Sequence, residues 1–146
     1  MQHRPVRAAA ILTVALCCSC GKEETNRKPT FPVTGRVTVD GKAPGSPIAV
    51  KCHPVDGMDK QNPTISSAFT AEGGKFEIST YNSGDGIPEG QYVLTFYWGK
   101  HNPFTMNYGG PDKLKNRYKN PKTSKFKITV KAGEPTDLGR IDLKTK

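Results

Sequence analysis

The chain has 146 residues, of which 34% are hydrophobic, and it contains 15 glycines and 12 prolines. This length suits a single domain, and the many turn-forming residues argue against a mainly helical protein. The formal net charge of +9 favours contact with anionic surfaces such as lipid head groups or acidic polysaccharide.

The N-terminus has the layout of a secretory signal. Basic residues Arg4 and Arg7 precede the apolar run Ala8 to Leu16, AAAILTVAL. The run is far shorter than the roughly 20 residues that cross a bilayer as a helix. We therefore expect export and cleavage, which argue against a nucleic-acid partner.

A cysteine-rich stretch follows the apolar run. The segment Cys17-Cys18-Ser19-Cys20-Gly21 resembles the lipobox of bacterial lipoproteins, in which small residues precede a cysteine that is acylated. Cys20 is the best candidate. Cys17 stands where the family prefers Leu, so Cys18 is the alternative. The acyl chains of such a lipoprotein give stable membrane attachment.

These features divide the chain. Residues 1–19 are expected to be a lipoprotein signal peptide, 20–32 an acylated N-terminus with a polar tether, and 33–144 the folded domain. Gly21 after the acylated cysteine resembles the outer-membrane sorting pattern, so the expected location is the cell envelope. The protein would be held by lipid at the outer membrane, facing the periplasm or the surface.

Short alternating runs separated by turn residues predict seven strands after the tether. They are Val33 to Val39, Ile48 to His53, Ser66 to Thr70, Lys75 to Thr80, Gln91 to Trp98, Lys125 to Val130 and Leu138 to Leu143. This spacing is typical of a seven-stranded antiparallel β-sandwich of Ig-like or prealbumin-like type.

The alternation also predicts which side chains are buried. Cys52, Phe76 and Ile78 should point into the core, and the strand ending at Trp98 should be central because both of its faces are partly apolar. Gly139 marks an expected bulge. The segment Asp112 to Tyr118 is expected to form one or two helical turns.

Several motifs carry a family resemblance. They are VTGRV (33–37), DGK (40–42), AEGGKF (71–76), GIPEGQY (86–92) and YKNPKTS (118–124). In this order, and with the lipobox, they resemble small planctomycete-type lipoproteins with a carboxypeptidase regulatory-like, transthyretin-like domain. The resemblance implies a prealbumin-like sandwich without an established enzymatic activity or defined ligand. The related hydroxyisourate hydrolases end in Tyr-Arg-Gly-Ser, whereas this chain ends in IDLKTK, so that activity is not implied.

The sequence favours neither catalysis nor a metal or other cofactor. Cys52 and His53 are neighbours on one strand and therefore point to opposite faces, which prevents both from binding one metal ion. A Gly-x-Ser-x-Gly element and a phosphate-cradling loop are missing from the sequence. We therefore expect a protein that is not an enzyme.

A long aromatic connection and a basic segment are the candidate binding elements. The connection spans residues 99–118, and residues 113–131 include eight basic residues and no acidic one. The candidate ligand-binding residues are Trp98, His101, Phe104, Tyr108, Tyr118, Lys125 and Lys127. The sequence thus favours a structural or interaction domain, with an envelope protein as a candidate partner. The alternative is a module for glycans or polyanions, in which these residues would contact an anionic glycan.

Overall fold

The computed structural model describes residues 26–61 and 63–146, and this part of the chain is all-β. The strands are β1 (Thr30–Phe31), β2 (Val33–Val39), β3 (Ala49–Pro54), β4 (Ser66–Phe69), β5 (Lys75–Glu77), β6 (Ile87–Pro88), β7 (Gly90–Tyr97), β8 (Lys100–His101), β9 (Tyr108–Gly109), β10 (Lys127–Val130) and β11 (Thr136–Leu143). A single 3₁₀ turn spans Glu72–Gly74.

Seven of these strands form two main sheets. The four-stranded sheet has the order β10-β7-β3-β4, and the three-stranded sheet has the order β11-β2-β5. Their residues share one hydrophobic core, so the expected β-sandwich is confirmed, with β7 in an interior position. Over the described residues the strand count is eleven rather than seven, because β1 pairs with β6 and β8 with β9 over two residues each. A strand of two residues is too short to show the alternation of apolar and polar side chains that identifies a strand in the sequence.

The expectation of an entirely antiparallel sandwich is wrong at one pair. β11 lies parallel to β2, in a register that runs from Thr136 opposite Val33 to Leu143 opposite Val39. Parallel neighbours need a long connection between them, and here β3 to β10 provide it. The register shifts between Asp137 and Arg140, which places an irregularity at Gly139, where φ is +61°.

The core lies between the two sheets. Its fully buried side chains include Val37 and Leu143 from the three-stranded sheet and Val50, Leu94 and Phe96 from the four-stranded sheet. The inward orientation predicted for Cys52, Phe76 and Ile78 is confirmed, since each is at most 3% exposed. Burial raises the pKa of the Cys52 thiol to about 12, which keeps this thiol in its unreactive protonated form.

Gly86 and Leu114 belong to two connections that lie outside the two main sheets. A Cβ atom at Gly86 would lie 1.8 Å from the Phe31 carbonyl oxygen, and φ there is +87°, so only glycine lets β1 reach β6. The segment Asp112 to Tyr118 forms hydrogen-bonded turns instead of the expected helical turns. Leu114 from these turns is fully buried.

Candidate ligand-binding face

The outer surface of the four-stranded sheet presents side chains from three neighbouring strands in register. Phe69, Ala49 and Tyr97 lie opposite one another across β4, β3 and β7, and Lys51 lies opposite Thr95 in the next outward row. This arrangement follows from the strand period of two, since Val50, Cys52, Leu94 and Phe96 point inward. Apolar and cationic side chains therefore occupy the same outward surface.

Tyr108 from the β8–β9 hairpin completes an aromatic cluster at one end of this surface. Its ring lies 4.9 Å from the Phe69 ring and 5.7 Å from the Tyr97 ring between centroids, edge to face in both cases. Its Oη lies 2.8 and 3.0 Å from the carbonyl oxygens of Pro47 and Tyr97 and accepts the Gly99 N–H at 2.8 Å. These hydrogen bonds hold the ring in a fixed position over the sheet.

The cluster borders a groove of about 430 Å³. Its lining residues are Ala49, Lys51, His53, Phe69, Thr95, Phe96, Tyr97, Tyr108 and Lys119. The volume falls within the range of about 300–1,000 Å³ that is usual for small-molecule sites. We refer to this groove and its lining residues, except the fully buried Phe96, as the aromatic face.

Two lysines and a histidine give the aromatic face its polar character. The Lys119 Nζ lies 5.4 Å from the centroid of the Tyr97 ring, and Lys51 projects from the middle strand. His53 Nε2 and Thr95 Oγ1 form a hydrogen bond of 2.9 Å. Burial, with a contribution from the Lys51 charge, lowers the pKa of His53, which favours the neutral imidazole.

Among the described residues, none of those that line the groove is acidic. Asp112 lies near enough to raise the pKa of Tyr108, although burial is the larger cause. Its carboxylate oxygens already accept backbone N–H groups, from Trp98 and Leu114 on Oδ1 and from Asn116 on Oδ2. Within the described residues, ion pairs form at Lys28–Asp59 and Lys144–Asp142. Lys51 and Lys119 have no such partner there.

The structure separates the candidate residues of the sequence analysis. Tyr108 is part of the aromatic face, and Lys127 lies opposite Val93 on the same side of the sheet. Trp98 instead donates its indole N–H to Ser46 Oγ at 2.8 Å and packs against the core. Tyr118 packs on Phe126 and accepts the Lys144 N–H at 2.9 Å.

The other candidates lie away from the groove. His101 is exposed on β8, and Phe104, at the end of the same hairpin, is 94% exposed. The Lys125 Nζ is 5.8 Å from the centroid of the Phe126 ring. Cys18 and Cys20 lie outside the described residues, so the expected acylation site has no structural description.

Sequence reasoning missed Lys51, His53, Phe69, Tyr97 and Lys119 as members of one site. The useful signal was the alternation itself, because Tyr97 and Phe69 occupy outward positions where a solvated strand usually carries polar residues. Nothing in the sequence shows which strands are neighbours. Because β4 and β7 are far apart in the sequence, the pattern does not show that Phe69 and Tyr97 belong to one cluster.

Comparison with protein-family models, curated proteins and solved structures gave no match. Over the described residues, no group of three or more His, Cys, Asp or Glu side chains is arranged to hold a metal ion. The same part of the chain has no helix long and apolar enough to span a bilayer.

Proposed function

We propose that this protein is a non-enzymatic lipoprotein of the cell envelope whose β-sandwich is a binding module. The aromatic face is the observation that carries the proposal. Phe69 is 56% exposed although its ring packs edge to face on Tyr108 at the outer surface of the sheet. Exposed apolar surface surrounded by polar groups is typical of interaction sites.

The fixed geometry of the cluster supports a binding role over a purely structural one. Tyr108 is held by three backbone groups, and the Tyr97 hydroxyl donates to the Gly110 carbonyl. A surface that is already ordered loses less conformational entropy when a ligand binds. The aromatic face therefore has the rigidity that recognition requires.

The carboxylates with lowered pKa values support the non-enzymatic part of the proposal. Asp85 accepts the backbone N–H groups of Thr80, Tyr81 and Asn82 at 2.7, 3.0 and 2.9 Å. Burial raises the pKa of Asp85, but these hydrogen bonds together lower it by more, so the net shift of the pKa is downward. Such a carboxylate closes a loop and is engaged as an acceptor, which differs from a general base that is free to take a proton.

The proposed anchor suits this arrangement. The first strand begins at Thr30, so ten residues counted from Cys20 precede it. A chain of that length spans at most about 35 Å. An acylated Cys20 would therefore keep the module close to the membrane surface and limit its search to the envelope.

Mass spectrometry of the membrane-extracted protein tests the anchor. We expect an N-terminus at Cys20 carrying acyl chains, loss of membrane association in Cys20→Ala, and no loss in Cys18→Ala. The reverse result for the two variants would move the anchor to Cys18. An unmodified N-terminus beyond residue 20 would refute the lipoprotein assignment.

Sedimentation with purified envelope polysaccharide from the producing cell tests the binding module. We expect the detergent-solubilised full chain to cosediment and the Phe69→Ser variant to remain in solution. Phe104→Ser is the matched control, because it removes an even more exposed aromatic ring, 94% against 56%, from the hairpin outside the groove. Equal binding by the wild type and Phe69→Ser would refute the assignment of binding to the aromatic face. Loss of binding only in Phe104→Ser would move the site to the hairpin.

A further inference from the structure

The groove combines aromatic ring surface with positive charge. Phe69, Tyr97 and Tyr108 supply ring surface, whereas Lys51 and Lys119 supply positive charge at the same depression. The ligand should therefore have an apolar side that lies on aromatic rings and an anionic group that reaches a lysine.

We infer that the aromatic face binds a carboxylated sugar, such as a uronic acid unit within an envelope polysaccharide. This inference rests on the proposed function, since it names the ligand class of the same site. The C–H groups on one side of a sugar ring pack on aromatic side chains, and its hydroxyl groups form hydrogen bonds. A carboxylate on that ring adds the charge that the two lysines complement.

The middle of the groove suits sugar hydroxyl groups. Ala49 lies between Phe69 and Tyr97 in the sheet register, and the Tyr108 ring packs against both of those rings. In the same groove, His53 Nε2 and Thr95 Oγ1 form a polar pair. The His53 Nε2 is engaged by this bond, but the Thr95 hydroxyl keeps further hydrogen-bonding capacity, so a ligand hydroxyl finds an uncharged partner there.

The charge pattern favours an acidic sugar over a neutral one. Lys51 and Lys119 line the groove without an acidic residue and without an ion pair among the described residues. Lys127 lies on the same side of the sheet, opposite Val93. Unpaired cations beside an aromatic surface favour anionic ligands, and a bound carboxylate forms a charge-assisted hydrogen bond with lysine.

The groove differs from a usual phosphate site. Arginine forks and backbone N–H groups are common in phosphate recognition, but the cations that line this groove are lysines. Arg36 and Arg140 lie opposite each other on the other sheet. Lysine also binds phosphate as a point charge, but a phosphate chain has no apolar side to pack on Phe69, Tyr97 and Tyr108. The aromatic rings therefore favour a carboxylate joined to a sugar ring.

Oligogalacturonate and its fully methyl-esterified form provide the test, because they share a sugar backbone and differ in carboxylate charge. We measure binding of the detergent-solubilised full chain by titration calorimetry at low salt. We expect the acidic form to bind at least about tenfold more tightly than the ester, and higher salt to weaken binding.

Matched charge variants identify the lysines responsible. The double variant Lys51→Gln/Lys119→Gln should weaken binding of the acidic form by about tenfold or more. Lys122→Gln/Lys131→Gln removes the same net charge from exposed positions outside the groove and should leave binding within about twofold. Equal losses in the two double variants would show non-specific attraction and overturn the inference.

The remaining outcomes separate this inference from the proposed function. Equal affinity for the acidic and esterified forms would overturn the carboxylate inference while leaving a glycan-binding module. No binding to either form would also overturn it, and cosedimentation with envelope polysaccharide would then decide the proposed function by itself. Tighter binding of inorganic polyphosphate than of oligogalacturonate would assign the groove to phosphate instead.

Discussion

The outer surfaces of the two sheets differ in how their charged residues are arranged. On the three-stranded sheet, Arg140, Arg36 and Lys75 lie opposite one another, and Asp137 and Glu77 flank Thr34 in the next outward row. We call this surface, together with Thr38 and Asp142, the mixed-charge face. In the part of the chain that the structure describes, the aromatic face has lysines but no acidic residue along its groove.

Bonding within the chain shows the difference most clearly. Asp142 on the mixed-charge face accepts hydrogen bonds from Thr38 Oγ1 and the Gly41 N–H, both at 2.8 Å, and pairs with Lys144. These contacts, with the Lys144 bond as the largest cause, lower the pKa of Asp142. On the aromatic face, Lys51 and Lys119 have no ion pair within the described chain. Charge supports the fold on one surface and is available to a ligand on the other.

The largest expected effect separates the buried and outer sides of the four-stranded sheet. Phe96→Ala should lower the free energy of unfolding by about 3–5 kcal/mol, because Phe96 is fully buried and its removal leaves a cavity. Phe69→Ala should cost less than about 1 kcal/mol, since more than half of that side chain is already exposed. Urea unfolding measures both. A similar cost for the two variants would show that the aromatic face is part of the core.

A second prediction compares the stability lost when one charged residue is removed from each surface. Asp142→Ala should lower the urea midpoint clearly, because Thr38 and Gly41 lose their acceptor. Lys51→Ala should leave the midpoint nearly unchanged, since Lys51 has no ion pair in the described residues. Unfolding at pH 7 compares the two variants directly. A larger loss for Lys51→Ala would contradict the division of roles between the two surfaces.

Tyr108→Phe should have a smaller effect, of about 1 kcal/mol on the free energy of unfolding. The substitution removes the hydroxyl that bonds to backbone groups of Pro47, Tyr97 and Gly99. Tyr118→Phe is the control, because its hydroxyl accepts a single exposed backbone N–H. If both variants lost the same stability, the Tyr108 hydrogen bonds would not account for the fixed position of the ring.

The smallest effect is a pH dependence at His53. Its folded-state pKa is lowered from 6.5 by burial and by Lys51, so the unfolded chain takes up the proton more readily. The contribution of the neutral His53 to the free energy of unfolding is therefore fully present above about pH 6.5. It is lost as the pH falls through the folded-state pKa, because the unfolded chain binds the proton first. Urea midpoints at pH 7.5 and 5.5 should therefore differ more in the wild type than in His53→Gln. An equal difference in both proteins would show that other groups cause the dependence.

The sequence predicted the local structure well because strand alternation and turn residues are local signals. All seven predicted strands occur in the sandwich, and Cys52, Phe76 and Ile78 are buried as expected. The four two-residue strands were missed because two residues cannot establish a period. The parallel position of β11 was missed because pairing depends on the path of the whole chain, which no local pattern records.

The candidate site shows the same division between local and distant information. Tyr108 was expected from its aromatic loop, but its neighbours Phe69 and Tyr97 belong to separate strands that meet only through β3. The sequence by itself determined the strands, their inward side chains and the basic character of the chain. The tertiary structure alone decided which outward residues share a surface. Strand register is set by packing between segments far apart in the chain, and this packing placed Lys51 and Lys119 beside the aromatic rings.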